Sequence, residues 1–236
     1  KEHAIAGKAL AAQLQVVNPG MGKGGNRSKS DGLSIGGLKS FWIPEYLKFA
    51  GLYQAAIPRT VRGSKDRKTY IIRPKSLHWE THKQVFSDFQ KSIFSDSAVK
   101  MDVLAVLRYC EVFLRQWRAS QAESWSRFIK ANPGDHVSAL DVIFYKHLGS
   151  AHATMNISTL VLPEWLPEIK TTEQADLFLQ IIDEHRRIIQ RLEERFNEEY
   201  ELLRKYRKFI SARDLKAFFD FSAQFAGRLM HKLANR

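Results

Sequence analysis

The chain has 236 residues, 44% of them hydrophobic, with fifteen Phe and five Trp; that is enough apolar material for a packed core and excludes a disordered tail. Its 37 Lys and Arg against 25 Asp and Glu give a net charge of +12, and three quarters of the excess falls in residues 1–80, where 14 cations face 5 acids. A positive field concentrated in this way favours an anionic partner, nucleic acid before all others; the lack of an apolar run of about 18 residues and of an isolated basic amphipathic helix speaks against a membrane.

Residues 4–17 (AIAGKALAAQLQVV) read equally as a helix, by their alanines, or as a buried strand near LQVV. Neither they nor the preceding residues have the apolar core and cleavage pattern of a signal peptide, and the first residue is Lys, so a portion of a longer protein is expected. Next comes NPGMGKGGNR (Asn18–Arg27), with four glycines and two cations in ten residues. Glycine removes the Cβ that would hold a partner away, so successive backbone N–H groups can converge on one phosphate while Lys23, Arg27 and Lys29 supply charge. Gly24 and Gly25 are the positions of closest approach, and Asn18, Asn26 and Ser28 carry amides and a hydroxyl able to read base edges.

From Ser40 to Ala56 the residues Phe41, Trp42, Tyr46, Leu47, Phe49, Ala50 and Tyr53 recur at three- and four-residue steps, which predicts a helix with Pro44 in its first turn. Ile57–Arg62 (IPRTVR) and Lys68–Arg73 (KTYIIR) are β-rich runs joined by GSKDRK, a hairpin whose tip carries Lys65, Arg67 and Lys68 and whose first strand ends on Arg62. Beyond His78 every long pattern reads as helical: 78–94, 99–119, 123–130 and 138–148, broken once by Asn132-Pro133-Gly134. Cys110, the single cysteine, falls in the second of these, where a buried and inert thiol is expected; with no disulfide framework or thiolate metal cluster, a reducing, cytoplasmic setting follows.

Pro163 and Pro167 in LVLPEWLPEIK mark a linker. Thr171-x-x-Gln174 then has the form of a capping box opening one very long helix, with Leu177, Ile181, His185, Ile188, Leu192, Phe196, Tyr200 and Leu203 as an inward stripe of about seven turns. Arg186, Arg187, Glu193, Glu194, Glu198, Glu199 and Arg204 opposite that stripe read as a solvated mixed-sign face. Ser211-x-x-Asp214 caps a last helix with Leu215, Phe218, Phe219, Ser222, Phe225, Leu229 and Leu233 inward. The fold class expected is mainly α: a basic α+β module over residues 1–80, with its glycine-rich loop and β-hairpin, followed by an α-helical bundle over 81–236.

Catalytic signatures are thin. GMGKGG fails as a Walker loop because Val17 stands where the first glycine belongs and Gly24 follows Lys23 where Ser or Thr must hold magnesium. His78 and His82, four apart on a helix, have no third ligand at a telling distance, and no nucleophile sits in a G-x-S-x-G elbow. No enzyme, cofactor or metal is therefore expected; a metal- or phosphate-dependent nuclease or transferase, or a purely structural helical interaction protein, are the alternatives.

Three stretches, NPGMGKGGNRSKSD, FWIPEYLKFAGLYQAAIPRTVRGSKDRKTYIIRP and LLRKYRKFISARDLKAFFDFSAQFAGRLM, together resemble the large subunit of a type I CRISPR surveillance complex (Cascade) of the I-A and I-B kind, in its C-terminal portion. The resemblance implies a non-catalytic role in antiviral defence: recognising the protospacer-adjacent motif on duplex target DNA, helping to open it, and stabilising the R-loop by steadying the displaced strand while guide RNA pairs with its target. A helicase–nuclease is then recruited in trans. It also implies that the C-terminal bundle is similar to the small subunit of such complexes, docks on other Cascade subunits, and lines the inner groove with cations such as Arg115, Arg118 and Arg127. That division of labour, in which base pairing reads sequence and protein reads shape and a short motif, requires no active site.

Overall fold

The structure, a computed structural model, describes residues 42–121, 131–149, 152–163 and 168–234. Element α1 (Trp42–Ala55) leads into a hairpin of β1 (Ala56–Thr60) and β2 (Arg67–Pro74); α2 (Trp79–Ser92), α3 (Ala98–Ser120) and the single turn α4 (Pro133–His136) follow. Then come β3 (Val137–His147), β4 (His152–Val161), α5 (Thr172–Gln190), α6 (Asn197–Ala212) and α7 (Leu215–Ala234). The expected helix over 123–130 and the glycine-rich loop lie outside the described residues.

The broad expectation, mainly α with a small α+β part, holds. One correction concerns 138–148, which is strand and not helix: β3 and β4 complete a four-stranded antiparallel sheet in the order β1-β2-β3-β4. The buried residues Ala139, Leu140, Val142, Ile143 and Tyr145 fall three apart often enough to imitate a helix. Val, Ile, Phe and Tyr nevertheless prefer the pleated surface, where a branched or aromatic side chain packs without losing rotamers against a preceding helical turn. β4 also absorbs Leu160 and Val161 from the expected linker.

Two compact units divide the chain: residues up to Ile72 with Asp141–Ser158, and Arg73–Leu140 with Thr159 onward. In the first, β1 and β2 pair in register Ala56↔Ile71 through Thr60↔Arg67, and the core is Ala56, Ile57, Tyr70, Ile72, Val142, Ile143 and Tyr145. Burial pushes the Tyr145 phenol up to about 12, against a hydrogen bond with Thr69 that works the other way.

In the second unit α3 is the central helix, packed by α2, α5 and α6, with α7 against α6. Its Val103, Val106, Leu107, Tyr109, Cys110, Phe113, Leu114 and Trp117 are all buried, so apolar side chains surround most of its circumference, as a helix enclosed by neighbours requires. Cys110 is wholly buried and desolvation pushes its thiol up to about 12, which leaves it the inert packing residue expected.

The long helix is two helices, which is a second correction. The capping box is present: Gln174 N donates to Thr171 Oγ1 (3.3 Å) and Thr171 N to Gln174 Oε1 (3.3 Å). α5 nevertheless stops at Gln190, and Leu192, 2% exposed, drops into the core from the turn that follows. The buried stripe is rotated from the expected one, to Ala175, Phe178, Ile182 and Ile189, while Leu177 lies outside.

The acids of the break bind backbone, which replaces the solvated face expected of them. Glu194 Oε1 accepts from Val99 N (2.6 Å) and Lys100 N (2.8 Å), satisfying two of the orphan donors at the start of α3. Glu199, 4% exposed, accepts from Glu193 N and from Arg228 of α7. Arg213 (φ 55°) closes α6 in the left-handed region and Asp214 caps α7, accepting from Ala217 N at 3.1 Å. α7 turns Ala217 and Phe221 inward, so Leu215, Phe219 and Leu229, expected inside, are exposed.

Between these helices His185 lies parallel to Phe218 (5.9 Å, 5°) and its Nδ1 accepts from the Tyr206 hydroxyl. Burial lowers the His185 pKa and raises that of Tyr206, so a neutral imidazole accepting from a neutral phenol is the stable pair; Glu184 opposes the shift on the histidine weakly. Because the folded pKa lies below the unfolded value of about 6.5, the unfolded chain takes up the proton first. Stability contributed here is complete above that value and declines as pH falls below it. Urea midpoints measured from pH 7.5 to 5 will therefore fall more steeply for the native chain than for His185→Gln; equal slopes would refute this role.

Candidate nucleic-acid interface

The hairpin tip expected from the sequence is present. Six residues, Val61–Asp66, connect β1 to β2; Val61 N donates to Asp66 O (2.8 Å), Asp66 N donates to Ser64 Oγ (3.1 Å), and Gly63 takes φ +77°, a conformation that glycine adopts without steric cost. Arg62, Lys65 and Arg67 are exposed around this connection. Lys68 departs from expectation: as the second residue of β2 it points into the unit, is 5% exposed, and holds its ammonium over the Phe144 ring at 5.5 Å. It opens the run Lys68–Tyr70, which is buried on both faces of the strand.

What sequence reading missed is the second hairpin. Asp66, 6% exposed, accepts from Lys146 Nζ through Oδ2 (2.8 Å) and from His147 N through Oδ1 (2.9 Å), and the His152 Nε2 donates to Lys65 O at 3.0 Å. His147 and His152 face each other edge to ring at 5.0 Å, and Gly149 N donates to His147 Nδ1 at 3.3 Å. Desolvation works to raise the Asp66 pKa, but the bonds from Lys146 and from the His147 amide, with the charge of Lys146, outweigh it and hold the carboxyl below its usual range. The one acid at the tips is thus ionised, turned inward and spent on tying them together.

The outcome is a surface assembled from two sequence regions eighty residues apart: Arg62, Lys65 and Arg67 from one connection, Lys146, His147 and His152 from the ends of β3 and β4. Lys146 and the two histidines, lying in a segment of nearly neutral charge, gave no local signal. Only the strand pairing reveals them.

The remaining expected contacts divide in two. Asn18, Lys23, Gly24, Gly25, Asn26, Arg27, Lys29 and Arg127 lie outside the described residues. Arg115 and Arg118 are on α3 in the second unit, each engaged with an acid: Arg115 Nη2 with Glu111 Oε1 at 3.0 Å, Arg118 Nε with Asp176 Oδ1 at 2.6 Å. Both keep more than half of their side-chain surface in solvent, so these pairs contribute little to stability and leave the guanidinium groups accessible to an anion. Among the described residues no group of three or more His, Cys, Asp or Glu is placed to hold a metal ion, and no helix is long and apolar enough to cross a membrane.

Comparison of the chain with protein-family models, with curated proteins and with solved structures finds no match.

Proposed function

We propose that the chain is a non-catalytic DNA-binding subunit of an RNA-guided CRISPR effector complex, a large subunit of the Cascade type, working in the cytoplasm on target DNA. In this reading it recognises a protospacer-adjacent motif and stabilises the R-loop, and other subunits, guide RNA and a helicase–nuclease acting in trans complete the assembly. The observation that carries the nucleic-acid part is the double tip, where four basic side chains and two imidazoles gather around a single acid that is turned inward. Cations held on tied turns meet phosphates without the ordering cost that a loose tail incurs. The sequence resemblance carries the CRISPR part.

The bundle serves as scaffold in this reading. Several of its ion pairs tie one helix to another, such as Arg207 Nε to Asp102 Oδ2 at 2.8 Å, with Asp102 only 1% exposed, and Arg228 to Glu198 at 2.9 Å.

Purification of the chain from its native host under mild salt tests the assignment as a whole. A short RNA of uniform length, accompanied by further protein subunits, is the expected result. Recovery of the chain free of RNA and of partners, or metal-dependent turnover of nucleic acid by the chain alone, would replace it with one of the alternatives above.

A further inference from the structure

Trp79, the first residue of α2, is 51% exposed, an unusual position for the largest apolar side chain in a domain whose core accepts many aromatics. Its indole is held in place from beneath. The ring stacks on His82 at 5.6 Å with 30° between planes, His82 stacks on Phe86 at 5.2 Å and 22°, and both of these are buried, at 7% and 6% exposure. Val85 and Phe89 of the same helix, also buried, continue into the core. An aromatic column therefore rises from the interior and ends in a rigid ring that faces water.

A cation lies over that ring, and the chain just ahead of it is basic. Lys83 Nζ lies 5.3 Å from the indole centroid, above the ring, and pairs with Glu80 at 3.3 Å in a contact about half exposed on each side. Arg73, Lys75 and His78, all exposed, occupy the chain just ahead of Trp79; Arg73 also bonds Thr159 Oγ1 at 3.3 Å. A cation over an aromatic face disfavours a cationic ligand such as a methylated lysine. It favours a flat ring joined to a negatively charged group, and a nucleotide, a neutral base linked to a phosphate, has both properties.

We propose that Trp79 is a stacking platform for an unpaired nucleobase, with Lys83 leaving the indole face to meet the adjoining phosphate. The inference rests on the nucleic-acid reading above and adds to it a site in the second unit and a ligand state, single-stranded and read by its ring rather than by its edge. A base offers a π-face whatever its identity, so the contact is indifferent to sequence. Lysine side chains at such exposure change rotamer in picoseconds to nanoseconds, so the exchange of partners by Lys83 is not a barrier to binding.

Two oligomers of equal length and phosphate number, oligodeoxythymidylate and its abasic counterpart, separate stacking from charge when titrated against the full chain. The native chain is expected to bind the thymidylate more tightly by about 5- to 150-fold, the range that one stacked base supplies. Trp79→Ala should erase that ratio while leaving the salt dependence of binding intact, and Trp79→Phe, which keeps a π-face and the column below it, should preserve most of it. A ratio unchanged in Trp79→Ala, or lost equally in Trp79→Phe, overturns the platform. Native chain that binds both oligomers equally and in a salt-dependent manner also overturns it, yet leaves the parent reading standing; failure to bind either one sinks both.

Discussion

Replacing Arg62, Lys65 and Arg67 together by alanine is expected to lower the affinity for duplex DNA by two to three orders of magnitude near 0.1 M salt, and to reduce the slope of log K against log salt by about 2.7. Both figures come from counterion release, in which each phosphate contact on B-form DNA contributes about 0.9 to the slope. All three side chains are exposed, so their removal leaves the core of the unit unaltered. Lys146 is a separate case, because it also neutralises Asp66 at 2.8 Å. Lys146→Gln should weaken binding and, in addition, loosen the junction of the two tips. A duplex-binding slope that does not move in the triple variant would remove the double tip from the interface and return attention to the basic loop ahead of it.

Glu111→Gln should lower the stability of the bundle by about 3 kcal/mol, the usual effect of stranding the buried partner of an ion pair. Glu111 is 6% exposed at the middle of α3; its Oε2 meets Arg108 Nη1 at 2.8 Å and lies 3.8 Å from Arg186 Nε of α5, and its Oε1 takes Arg115. Arg108 is itself mostly shielded, at 16% side-chain exposure, so the amide leaves its guanidinium short of charge, whereas Arg186 keeps its ion pair with Asp183 of its own helix. Arg115 matters little, being 64% exposed. For a chain of this size the loss corresponds to a fall in Tm of roughly 6–12 °C. Removing Arg108 as well, in Glu111→Met with Arg108→Leu, should recover part of the deficit, because a well-packed apolar pair often does as well as a buried ionic one. A single variant that melts with the native chain would show the carboxylate to be dispensable.

How far the sequence could be read depended on how local each signal was. The hairpin announced itself through β-rich runs on either side of a turn containing Gly63, and the capping box at Thr171 and Gln174 was legible because its two halves are three residues apart. β3 was read as helix because its buried residues fall at helical intervals, and the preference of Val142, Ile143 and Tyr145 for a sheet takes effect only once β2 and β4 lie beside them. The break at Arg191–Phe196 was hidden for a related reason: its residues suit a helix, and what ends it is the service of Glu194 to the start of α3, about ninety-five residues earlier. At the candidate site the exposed cations of the first tip were visible, Lys68 was misplaced because burial of β2 on both faces begins with it, and Lys146, His147 and His152 could be found only through the strand pairing. Long-range polar ties have no sequence period, and they account for most of what was missed.

The reach of Glu194 to the amides of Val99 and Lys100 binds the fraying end of one helix to the elbow between two others. Amide protons at those two positions are then shielded by a lock as well as by depth, and their exchange with deuterium requires the elbow itself to open. The bundle should accordingly breathe in blocks, the α3 entrance and the α5–α6 corner being released in one cooperative event instead of unwinding turn by turn.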